Sequence, residues 1–227
     1  MNTQPAEKVI RSFDGSLDVV DVWKTLQGEG PFAGTPAVFV RLAGCTLRCE
    51  KCDTDYTSNR SIHQVGYLLN RVIEMRGASR LVVITGGEPL RQDIETFVRC
   101  LLDYGFSVQL ETNGLHFNIQ LPWRDITTVC SPKTPKINTE LLPHITAYKY
   151  ILSADAVDEK DGLPTSALGM PSPPARPRVG FCGTVYVQPL DEGSPERNKL
   201  HEKAALDSCL KYGYALSLQL HKLLGLN

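Results

Sequence analysis

Apolar positions recur along this chain with two periods, and the switches between them divide it into short elements. Residues 17–26 (LDVVDVWKTL) and 37–43 (AVFVRLA) are rich in Val, Phe and other strand formers, which predicts two strands. Residues 62–76 carry apolar side chains at helical spacing, with Ser61 placed to cap that helix. A β-rich run follows at 80–85 (RLVVIT). Helical periodicity returns at 92–104 and stops at Gly105, because a residue without Cβ closes a helix at little cost. Strands are predicted at 106–112, 126–131, 147–153 and 183–188, then a helix at about 194–212 and a last strand near 214–220.

Strands alternating with helices predict an α/β protein with a mostly parallel sheet. Ligands of such sheets sit at the carboxyl ends of the strands. Three polar motifs fall there: Thr85-Gly86-Gly87-Glu88, Glu111-Thr112-Asn113-Gly114 and Ser131-Pro132-Lys133. Their common placement predicts one shared site. Two stretches lack periodicity. Residues 1–16 read as a polar leader, and the Pro/Gly-rich residues 155–177 read as a solvated loop within a single domain spanning 17–227.

Composition narrows the class without deciding it. The 227 residues are 42% hydrophobic and 22% charged, as in an ordinary soluble domain. Twenty-four basic residues nearly balance twenty-five acidic ones, so no basic surplus points to nucleic acid. No apolar run approaches the roughly 20 residues that span a bilayer. The first residues lack the basic start and apolar centre of a secretory signal, so a cytoplasmic location is expected. In that reducing compartment seven cysteines do not imply disulfides. Cys100, Cys130, Cys182 and Cys209 are scattered among apolar residues and are expected to be small buried hydrophobes.

Cys45, Cys49 and Cys52 differ, falling within one loop at spacings of three and two intervening residues. Thiolates this close can reach around one small inorganic centre. Iron–sulfur clusters normally take four cysteine ligands, so three would leave one iron open to another ligand. A structural zinc site completed by a histidine or a distant cysteine is the alternative, although zinc sites more often carry two C-x2-C pairs. The cysteines alone leave both open.

The pattern C-x3-C-x2-C followed by Gly86-Gly87-Glu88-Pro89 resembles the radical S-adenosylmethionine (SAM) superfamily. Further motifs are similar to those of the 7-carboxy-7-deazaguanine synthases. They are Thr25-Leu26-Gln27-Gly28-Glu29-Gly30, Cys52-Asp53-Thr54, Ile84 to Pro89, Glu111 to Gly114, Ser131 to Lys133, Val187-Gln188-Pro189 and Leu216 to Lys222. The resemblance implies a partial TIM-like barrel of mostly parallel strands with helices outside. It implies a [4Fe–4S] cluster on Cys45, Cys49 and Cys52, with SAM on the open iron, and Mg²⁺ at Thr54. SAM contacts would come from Gly86, Gly87, Glu88, Ser131, Pro132, Lys133 and Gln188. Substrate contacts would come from Leu26, Gln27, Gly28, Glu29, Arg41, Thr85, His221 and Asn227. The implied reaction contracts the ring of 6-carboxy-5,6,7,8-tetrahydropterin to 7-carboxy-7-deazaguanine and ammonia. A hydrogen atom is taken from C6, and SAM is regenerated. A flavodoxin or ferredoxin electron donor and a homodimer are also implied.

One position departs from the superfamily. Lys51 precedes the third cysteine where an aromatic residue usually packs near the adenine, so the lysine stem or backbone groups would have to serve instead. Two alternatives complete the reading. Another small radical SAM enzyme, such as a glycyl-radical activating enzyme, would share the cysteines and GGEP but not TLQGEG or LSLQLHK. A non-catalytic metal-binding module would have the metal and no turnover.

Overall fold

The computed structural model describes residues 2–10 and 14–226. Its centre is a nine-stranded sheet in the order β3-β1-β2-β4-β5-β6-β7-β8-β9. β1 (Ser16–Leu26) pairs antiparallel with β2 (Pro36–Leu42) and with β3 (Ser61–Gln64). From β2 onward every neighbour is parallel: β4 (Leu81–Gly86), β5 (Ser107–Thr112), β6 (Ile126–Cys130), β7 (Ala147–Leu152), β8 (Thr184–Pro189) and β9 (Ala215–Leu216). The edge strands β3 and β9 do not pair, so the sheet is open and mostly parallel, as expected of a partial barrel.

Burial explains which runs became parallel strands. Leu81, Val82, Val83 and Ile84 of β4 are all buried, the unbroken apolar pattern of a strand covered on both faces. α1 (Val65–Met75) and α2 (Glu95–Asp103) cover one region of the sheet, burying Leu68 and Val72, and Phe97, Val98 and Leu101, in the main core. α3 (Pro195–Tyr212) starts at Ser194, whose side chain accepts from the Arg197 N–H, and stops at Gly213, which takes φ 78°.

Three expectations need correction. Ser61 does not cap α1. It lies in β3, opposite Val19, because the first residues of the periodic run pair with β1 before the helix begins at Val65. The predicted last strand shrinks to Ala215–Leu216 and is followed by the short helix α4 (Leu220–Leu223), since only two residues find a partner on β8. Cys182 is exposed and Cys100 half-buried, whereas Cys130 and Cys209 are buried as expected.

The described parts of the two aperiodic stretches make defined contacts. Within 155–177, Leu163 and Ala167 are buried and Arg176 pairs with Asp158 and Asp161. Residues 2–10 lie along the cysteine loop, with Asn2 N–H donating to the Glu50 carbonyl at 2.8 Å. Among the described residues no helix is long and apolar enough to cross a membrane.

Candidate active site

The carboxyl ends of the parallel strands face a cavity of about 340 Å³. Cys45, Cys49, Cys52 and Thr54 of the cysteine loop line it, with Thr85 and Gly86 at the end of β4, Gly87 just after it, Ser131 and Lys133 after β6, and Gln188 on β8. Leu26, Gln27, Glu29, Arg41 and His221 complete the set of sequence-predicted residues brought together there. Gly28, Glu88 and Pro132 are not among the lining residues, and Asn227 lies outside the described residues.

Each exception has a local reason. Gly28 is a seat for α4: a Cβ there would stand 2.2 Å from His221 Nδ1, and the Gly28 carbonyl accepts the Leu220 N–H at 3.2 Å. Glu88 is fully buried beneath the glycine turn. Its carboxylate accepts from Leu90 N–H at 3.0 Å, the Thr112 hydroxyl at 2.7 Å and Asn113 N–H at 2.7 Å. Burial raises its pKa to about 7 despite those bonds. Pro132 simply joins Ser131 to Lys133, whose ammonium returns to the Ser131 carbonyl at 2.7 Å.

Glycine earns its place at Gly87. A Cβ there would stand 2.3 Å from the Gly44 carbonyl and 2.7 Å from Cys45 Cβ, so only glycine lets this turn meet the cysteine loop. Burial pushes the Cys45 thiol up to about 12, and the nearby Glu88 carboxyl and the other two thiols add to the effect. Cys49 and Cys52 are raised by burial as well. Three such thiols ionise readily only with positive charge supplied among them, as by iron.

A different chemistry lines the cavity around Glu29. Its carboxylate pairs with the Lys149 ammonium on β7 and accepts from Gln188 Nε2 at 3.1 Å and Gln219 Nε2 at 2.9 Å. Glu111 lies 3.9 Å from Lys149 and accepts from Gln27 Nε2 at 3.2 Å and the Thr85 hydroxyl at 3.2 Å. Burial alone would raise the Glu29 pKa, but Lys149 overrides it and holds the group at about 2. The same carboxylates keep Lys149 protonated well above its ordinary range despite its burial. Sequence reasoning gave no individual role to Lys149, Glu111, Asn113 or Gln219. Glu111 and Asn113 belong to a motif already noted at a strand end, whereas nothing in AYKYILS marks Lys149 as more than a strand residue.

Two donors remain open. Arg41 Nε and Asn113 Nδ2 are buried without partners, and both residues line the cavity. The Arg41 guanidinium is held 4.8 Å from the Trp23 ring centroid. Buried orphan donors are rare in a finished core, so they fit a ligand rich in acceptors such as carboxylates.

No family model matches the chain. Named relatives do match over nearly its whole length. It is 44% identical to a 7-carboxy-7-deazaguanine synthase of Rhodospirillum rubrum, with 92% of each chain covered. The protein of that name from Rickettsia prowazekii is 38% identical, covering 97% of this chain and 93% of its own. The chain belongs to the 7-carboxy-7-deazaguanine synthase family. It is therefore an enzyme, and the glycyl-radical activating and metal-module alternatives fall away. A crystal structure of QueE from Escherichia coli shares the fold, with TM-score 0.67, 24% identity, and coverage of 91% of this chain and 96% of that one. Membership of the 7-carboxy-7-deazaguanine synthases implies a [4Fe–4S] cluster and SAM, and the residues fit both. Three thiols share one wall with a close-packed glycine turn, beside two buried donors without partners.

Proposed function

We propose that the chain contracts 6-carboxy-5,6,7,8-tetrahydropterin to 7-carboxy-7-deazaguanine with loss of ammonia, as a carbon–nitrogen lyase in the cytoplasm. The observation that carries this reading is one cavity lined both by the three thiols and by the polar side chains of TLQGEG. When bound, the cluster with SAM supplies reductive formation of a carbon radical able to take a hydrogen atom from the substrate.

The chain's own residues supply attachment, orientation and charge. Cys45, Cys49 and Cys52 would hold three irons. The Gly86-Gly87 backbone, with Ser131, Lys133 and Gln188, would receive SAM. Glu88 would act from beneath, holding the Asn113 N–H and the Thr112 hydroxyl and so positioning the turn, which departs from a direct side-chain contact. In place of an aromatic beside the third cysteine, the Lys51 stem and Leu168 both border the cavity. The Lys51 ammonium is turned away to pair with Glu192. Apolar surface is thus left for the adenine.

Arg41 would bind the substrate carboxylate through its fork of donors. Gln27 and Glu29 would meet the amide-and-amine edge of the pterin, where a carboxylate held ionised by Lys149 accepts N–H donors. Thr85 and His221, on the cavity wall, would close around the ring. The Thr54 hydroxyl, with Asp53 Oδ1 at 3.5 Å, would offer oxygen to Mg²⁺, which favours few protein ligands plus water and substrate. A flavodoxin or ferredoxin would deliver the electron, and a homodimer is the expected assembly.

The test is an anaerobic assay of reconstituted protein with SAM, Mg²⁺, a strong one-electron reductant and the tetrahydropterin, with products read by mass spectrometry. 7-Carboxy-7-deazaguanine is expected, with SAM not consumed in proportion. SAM cleavage without any deazapurine would overturn the substrate.

A further inference from the structure

The cysteine loop has no secondary structure of its own between Cys45 and Tyr56. A loop backbone must find hydrogen-bond partners elsewhere; Lys51 N–H donates to the Leu168 carbonyl, and several other partners come from the first ten residues. Asn2 donates twice, from its N–H to the Glu50 carbonyl at 2.8 Å and from Nδ2 to the Cys49 carbonyl at 3.0 Å. Gln4 spans the end of the loop, donating to the Thr54 carbonyl at 2.8 Å and accepting the Tyr56 N–H at 2.7 Å. Glu7 N–H donates to the Cys45 carbonyl at 2.7 Å. Two of the three cysteines therefore carry a carbonyl bonded directly to this segment.

An ion network built on buried Arg91 holds the segment in place. The Glu7 carboxylate takes Arg91 Nη2 at 2.5 Å and Arg60 Nη1 at 2.8 Å. Arg91 reaches on to the Ala43 carbonyl at 3.3 Å and lies against Gly44, where a Cβ would stand 2.7 Å from its guanidinium carbon. Arg91 is 3% exposed, so this is an interior contact. Ile10 N–H closes the arrangement on the Arg91 carbonyl at 2.8 Å.

We propose that residues 2–10 are a strap that positions Cys45, Cys49 and Cys52 for the cluster before it binds. The inference rests on the iron–sulfur reading for its consequence but not for its geometry. The strap adds no strand to the sheet, so its removal breaks no strand pairing while freeing the loop carbonyls. Outer partners that orient ligands typically change metal affinity by about ten- to a hundredfold when removed.

The test compares the full chain with a variant lacking residues 2–9, with Gln4→Ala, and with Lys8→Ala, which alters an exposed residue of the same segment. On reconstituted protein, loss of visible cluster absorption to an iron chelator is expected to be about tenfold faster without the strap. A smaller acceleration is expected for Gln4→Ala and none for Lys8→Ala. On the iron-free chain, amide hydrogen exchange at Gly44, Lys51 and Cys52 should quicken in the first two variants while β4 and β5 stay protected. Unchanged loop exchange and unchanged cluster loss in a folded strapless variant overturn the proposal. If that variant does not fold, Gln4→Ala against Lys8→Ala decides by the same readouts. A full chain that takes up no cluster overturns the iron–sulfur reading instead, and exchange on the iron-free chain still decides the strap.

Discussion

Glu88 and Glu29 are both buried carboxylates of this site, yet their environments drive them apart. Glu88 accepts bonds from neutral donors, with Lys133 acting on it more weakly, and burial lifts it to about 7, whereas Glu29 pairs directly with the Lys149 ammonium and falls to about 2. Around Glu88 are thiols, glycines and backbone, with Lys133 acting on it without a direct ion pair. Around Glu29 is a permanent charge network that would face a polar substrate. The lesson is that burial alone does not decide ionisation; a full opposite charge at contact distance outweighs it, and neutral donors do not.

Experiments can break that contrast, beginning with its extreme. Replacing Cys45, Cys49 or Cys52 by Ala should abolish cluster assembly completely while the fold survives, read as loss of broad visible absorption with unchanged circular dichroism. Normal absorption in any of the three would remove that residue from the ligand set. Lys149→Met comes next. It strands Glu29 without its cation and should cost about 3–5 kcal/mol in urea unfolding, much of it recovered when Glu29→Gln is added. A double-variant cost equal to the sum of the Lys149→Met and Glu29→Gln costs would show that the pair is not coupled.

Arg41→Ala should leave cluster absorption intact and lower kcat/KM by about ten- to a hundredfold, as expected for a lost hydrogen bond to a charged group. Unchanged kinetics would take Arg41 out of substrate binding. The smallest effect is in pH dependence. The folded-state pKa of Glu29 lies below its ordinary 4.5, so its contribution is fully present above that value and is lost as pH falls toward about 2. Urea unfolding of the iron-free chain at roughly pH 5 and pH 3 should show a shallower loss of stability in Glu29→Gln than in the unmodified chain. Glu111, 3.9 Å from Lys149, remains as counter-charge in that variant.

Much of the site was readable because its pieces are contiguous motifs. The spacing of Cys45, Cys49 and Cys52, the glycine turn after β4 and the polar TLQGEG each announce themselves in a few residues. Lys149 was not readable, because a lysine inside AYKYILS is ordinary until Glu29 and Glu111 are folded against it from 120 and 38 residues away in the chain. The motifs of Gly28 and Glu88 gave no sign that Gly28 also seats His221 or that Glu88 also holds Thr112 and Asn113. Among the elements, β3 escaped notice because its short run pairs with β1 rather than following its own periodicity. Asparagine and glutamine in the first residues carry no periodic signal, so their grip on the cysteine loop was invisible as well.

The sequence by itself determined the class of sheet and the family, and singled out three closely spaced cysteines, since apolar period and short-range spacing are local properties that survive without coordinates. Only the tertiary structure decided that Glu29 meets Lys149, that Gly28 leaves room for His221, and what holds the cysteine loop. Those depend on charges and backbone groups brought together from distant parts of the chain, and no local pattern encodes such distances.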